Sequence, residues 1–123
     1  MIKKLISFLE NNISASIITT IFVGYLCFIP SSQVPDTTDD KTAHFLAFGT
    51  MAFLWLLYLK NYFKVFGGLL IYAIFIEIVQ KNLPPDFYRG FEYADILADM
   101  LGIVLGLIIV YFFKKYGLKF FRI

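Results

Sequence analysis

Charge is what this chain has least of: 16% of its 123 residues are Asp, Glu, Lys or Arg, against 59% hydrophobic and 20% aromatic. That is too little polar surface to coat a soluble globule of this length, so the solvent around the folded chain is lipid. There is one cysteine, Cys27, which excludes an intramolecular disulfide and reads as a small hydrophobe in packing. There is one histidine, His44, which argues against a histidine-rich zinc centre. No Gly-rich phosphate loop, GxSxG elbow, HExxH or CxxC pair occurs, which removes the familiar nucleotide-binding, serine-hydrolase, zinc-protease and thiol-redox readings. No internal repeat or low-complexity linker divides the chain, so residues 1–123 read as one domain.

What is there is hydrocarbon in four blocks, at 13–29, 43–59, 65–83 and 94–113, separated by short polar segments. At a rise of ~1.5 Å per residue, each block reaches roughly the thickness of a bilayer core. The expected fold is therefore all-α, a polytopic four-helix transmembrane bundle. The first block is not a signal peptide, because no small-residue cleavage pattern follows it at "CFIPSSQVP". Phe-rich stripes such as "FLAFGTMAFLW" are packing or lipid-facing surface, with Trp55 and Tyr58 expected at the cytoplasmic interface.

Orientation follows from the basic residues. Lys3, Lys4, Lys60, Lys64, Lys114, Lys115, Lys119 and Arg122 flank one side of the expected membrane, leaving only Lys41, Lys81 and Arg89 for the other. Cytoplasmic flanks retain positive charge, so both termini are expected in the cytoplasm and the segments 30–42 and 84–93 outside. The tail "KKYGLKFFRI" then reads as an anchor on anionic lipid, not as a nucleic-acid site.

Against that background the polar residues within the spans carry the information. Glu77 and Gln80 interrupt "LLIYAIFIEIVQKN" three residues apart, on one helical face. A carboxylate at that depth costs a few kcal/mol if it meets lipid, so it must face other helices or water. In the last span Glu92, Asp95, Asp99, Gly102 and Gly106 follow one another at intervals of 3, 4, 3 and 4, a single stripe of acids above a GxxxG patch. The glycines mark that stripe as bundle-facing. Lys41 and His44 open the second span, and Arg89 precedes the fourth. Three spans thus deliver Lys41, His44, Glu77, Gln80, Arg89, Glu92, Asp95 and Asp99 to one depth on the outer side.

The ordered set "DDKxxH", "ExxQ" and "RxxExxDxxADxxGxxxG", spanning residues 39–106, resembles the VanZ-like family of small membrane proteins. The resemblance implies a location in the bacterial cytoplasmic membrane. It also implies that Lys41, His44, Glu77, Gln80, Arg89, Asp95 and the position of Asp99 are the family's characteristic polar residues. The family usually carries asparagine where this chain has Asp99, which adds a negative charge or a proton here. The founding member is associated with low-level resistance to the glycopeptide teicoplanin, and most relatives are uncharacterised envelope proteins.

Three readings of the cluster stay open. It is an outward-facing site that binds or modifies a cell-envelope ligand (a lipid head group, a lipid-linked wall precursor or a glycopeptide), with Lys41 and Arg89 gripping an anion and His44 and the carboxylates handling a proton. It is a divalent-metal enzyme, with His44, Glu77, Asp95 and Asp99 as candidate ligands and catalytic groups, and with Mg²⁺, Mn²⁺ or Ca²⁺ preferred over zinc. Or it is a structural cluster that fixes helix register, with Gly102 and Gly106 offering a dimer contact as an alternative to packing within the chain.

Overall fold

The structure, a computed structural model, describes residues 2–28, 40–84 and 93–117, and the regular elements among them are all helical. They are α1 (Ile2–Asn11), α2 (Ser14–Phe28), α3 (Asp40–Leu59), α4 (Tyr62–Lys81) and α5 (Tyr93–Phe112), with a π-helical turn at Phe113–Gly117 completing α5. Three helices are long and apolar enough to cross a membrane, or four if α1 and α2 count as one bent span.

The first predicted span, 13–29, contains α2, and the segment before it is itself helical, with α2 turned from α1 by 73°. The cause is local: the side chain of Asn11 folds back to the Ser7 carbonyl at 2.9 Å, and Asn12 Oδ1 accepts from the Ser14 N–H at 2.9 Å, so one helix is closed and the next opened at "ENNIS". α1 is anchored by buried Ile6 and by an ion pair of 2.6 Å between Glu10 and Lys114, while Leu5 and Phe8 stay exposed. A short helix with Lys4 exposed beside those apolar groups fits a position along the membrane surface.

Helices α3 and α4 are joined by two residues only. Lys60 takes the left-handed conformation (φ 59°) that usually ends helices at glycine, and Asn61 caps α4 by accepting from the Lys64 N–H at 3.0 Å. So short a link makes α3 and α4 antiparallel neighbours.

The closest pair is α3 with α5, which run in the same direction. A Cβ on Gly102 would collide with the Phe45 carbonyl oxygen, and one on Gly106 would stand 2.5 Å from the Gly49 carbonyl oxygen and 2.8 Å from Ala52 Cβ. The backbones therefore touch because side chains are missing, as small residues permit between membrane helices. The Gly102 and Gly106 stripe packs against α3 within the chain.

Distribution of polarity is inverted relative to a soluble protein. Phe48, Met51, Leu57, Ile76 and Ile103 fill the core, yet Phe63 is 90%, Ile71 70% and Ile21 66% exposed, while His44, Glu77, Asp95 and Asp99 are buried. Large apolar groups outside and acids inside describe a bundle in lipid.

Candidate functional site

α3 and α5 begin at the same end of the bundle, where α2 and α4 finish. The site lies just inside this end. At ~1.5 Å per residue, His44 is about 6 Å below the start of α3 and Asp99 about 9 Å below the start of α5. Two helix N-termini, each with the positive end of its dipole, converge on this region, and Asp95 lies in the first turn of α5. That placement offsets part of the cost of burying carboxylates.

The side chains form a connected line. Lys41 Nζ donates to Asp95 Oδ1 at 2.5 Å, His44 Nε2 stands 3.6 Å from Asp95 Oδ2, and His44 Nδ1 is 2.8 Å from Asp99 Oδ1. If Asp99 is ionised it can only accept, and the ring proton is then on Nδ1 with Nε2 toward Asp95. A separation of 3.6 Å is too long for a direct hydrogen bond. Glu77, fully buried, completes the group: one oxygen of Glu77, one of Asp95 and one ring nitrogen of His44 all lie within 4.8 Å of one another.

Exposure falls sharply along the line. The Lys41 side chain is 41% exposed, whereas Asp95, His44 and Asp99 are at 5%, 6% and 0%. Burying charges in this way is costly unless each is met by an opposite charge or hydrogen bonds. Lys41 meets Asp95 in this way and the imidazole meets Asp99.

Of the residues singled out in the sequence, the structure brings together Lys41, His44, Glu77, Asp95 and Asp99. Gln80 is also buried, but its amide donates to the Cys27 carbonyl at 2.9 Å and so ties α4 to the end of α2. Arg89, Glu92 and the side chain of Asp40 lie outside the described residues. The sequence reading missed Gly49, which lets α5 approach α3 and so sets the distance between His44 and Asp99. It also missed Thr20, which accepts from Trp55 Nε1–H through its hydroxyl and from Tyr72 O–H through its carbonyl, both at 2.8 Å. Trp55, expected only as an interfacial belt residue, is thus an interhelical donor, with Tyr58 edge-on to its ring at 6.4 Å.

These features define a polytopic helical membrane protein with an acid, histidine and lysine cluster buried near one end. The chain belongs to the VanZ/LLP1 family, whose model matches residues 16–114. It is similar to an uncharacterized protein from Schizosaccharomyces pombe, with 32% identity over 113 residues covering 87% of this chain and 67% of that protein. No solved structure matches the chain significantly.

Proposed function

We propose that the cluster is the binding site for the ionic head group of a membrane-borne envelope ligand, opening on the outer face of the membrane. The observation that carries this reading is the gradient along Lys41, Asp95, His44 and Asp99. A partly exposed ammonium group at the lip is held over a buried imidazole and two carboxyl groups. Lys41 can exchange Asp95 for an anionic group of the ligand, and His44 Nε2 is then placed to accept a proton from it. The orientation is supported by Lys60, Lys64, Lys114 and Lys115, which all fall at the opposite end of the bundle.

Candidate ligands are a lipid head group, a lipid-linked wall precursor and a glycopeptide such as teicoplanin. Low-level teicoplanin resistance would follow as a consequence of altered envelope lipid.

The single histidine makes the test specific. In protein labelled with ¹⁵N-histidine and placed in nanodiscs, the imidazole signals report on one residue only. Teicoplanin, phosphatidylglycerol or phosphatidylethanolamine should shift them in wild type and not in K41A. If none of the three probes moves the His44 signals, the head-group reading is wrong.

A second reading, a Mg²⁺ or Mn²⁺ site, is favoured by the convergence of His44, Glu77 and Asp95 within 4.8 Å. Mn²⁺ added to the same sample would then broaden the imidazole signals in wild type, and E77Q would abolish the effect. Equal broadening in E77Q would rule that site out.

A further inference from the structure

At the end of the bundle opposite the cluster, an apolar crevice of about 300 Å³ opens between α2, α3 and α4. Thr20, Trp55, Leu69 and Tyr72 line it, with Gly68 on its α4 wall and Lys64 at its edge. The hydrogen-bonding atoms of three of these walls are already engaged with one another. Trp55 Nε1–H donates to the Thr20 hydroxyl and Tyr72 O–H to the Thr20 carbonyl. What remains facing the crevice is ring and aliphatic surface, held in fixed positions.

The space is created by missing side chains. A Cβ at Gly68, which lines the crevice, or at the adjacent Gly67 would find no atom within 4 Å, whereas Gly24, Gly49, Gly102 and Gly106 are crowded. Two adjacent glycines in the middle of a helical turn lower its intrinsic stability, so the opening is maintained at a cost. An apolar gap of this kind holds no ordered water, because water needs polar partners that these walls do not supply. In a bilayer the neighbour available to fill it is an acyl chain.

The rim has a definite charge. Lys64 lies in the first turn of α4 and Lys60 in the link before it; both are exposed, and among the described residues neither is joined to an acid. The N-terminus of α4 adds the positive end of its dipole at the same level. Cation above, hydrocarbon slot below, is the complement of an anionic phospholipid.

We propose that this crevice holds one acyl chain of an anionic glycerophospholipid whose phosphate rests against Lys64 and Lys60. The lipid seals α2 against α3 and α4, and it uses none of the residues in the polar cluster. Native mass spectrometry of protein taken from mixed phosphatidylglycerol and phosphatidylcholine nanodiscs tests this directly. Wild type should retain phosphatidylglycerol over phosphatidylcholine. K64E should retain it about fivefold less, the scale of one lysine contact with an anionic surface. K81E, which reverses an exposed charge at the other end of the bundle, should retain it like wild type. G68L fills the slot and should lose both lipids while keeping the helical circular dichroism of wild type. Should G68L fail to fold, K64E against K81E still decides, since both side chains are exposed. Equal retention of the two lipids by wild type, or equal losses in K64E and K81E, would overturn the proposal.

Discussion

Asp99 is the residue through which the site is most easily read. It is fully buried, and its Oδ1 holds the imidazole of His44 at 2.8 Å. Asparagine keeps an acceptor oxygen in the same place. D99N should therefore preserve the ring orientation while removing one ionisable group. D99A removes the acceptor and leaves a buried ring N–H unsatisfied, a loss of about 1–3 kcal/mol. Thermal unfolding in detergent should show D99A clearly less stable than D99N. The ¹⁵N-histidine pattern should keep its proton on Nδ1 in D99N alone. Equal stability of the two variants would mean that the Asp99 hydrogen bond does not hold the imidazole.

Between elements, the decisive contact is α3 against α5, and it depends on absent side chains. G102A places a methyl group against the Phe45 carbonyl and 3.1 Å from the Gly49 N–H, so the two backbones must part. Overpacking of a close interface typically costs about 1–3 kcal/mol, and here the displacement also separates His44 from Asp99. G67A meets open space and should leave stability unchanged or raise it slightly, as alanine favours a helix. The contrast, measured as unfolding midpoints, would fail if both variants behaved alike. Helix packing also explains what could be read in advance. The long spans were legible because unbroken apolar runs have few other uses, and Glu77, Asp95 and Asp99 were legible because acids in such runs are rare. Gly49 was not, since a lone glycine in "FGTMA" has no partner in its own helix and acquires its meaning only from Gly102. Thr20 and Tyr72 were hidden for a similar reason: neutral residues in apolar helices show no pattern until a donor from another helix reaches them. α1 was passed over because its apolar residues Leu5, Ile6, Phe8 and Leu9 are interleaved with polar ones and form no membrane-length run.

Over the whole molecule the two ends are chemically distinct. One gathers the line from half-exposed Lys41 to the buried His44, Asp95 and Asp99, and the other has Lys60, Lys64, Lys114 and Lys115, with the acid Glu10 paired to Lys114. Under the proposed orientation, with positive charge retained on the cytoplasmic side, the cluster faces outward. This can be tested in a C27A background, which removes the single native thiol. Pro84 is exposed just beyond α4 at the cluster end, and Lys115 is exposed beyond α5 at the other. In intact cells, a membrane-impermeant maleimide should label P84C and leave K115C unmodified until the membrane is permeabilised. The reverse pattern would place the cluster in the cytoplasm, and no ligand confined to the outer surface could then reach Lys41. Labelling at both sites in intact cells would mean that the chain inserts in two orientations. The lysine asymmetry would then be too weak to set direction, and a site built at only one end would serve both faces of the membrane.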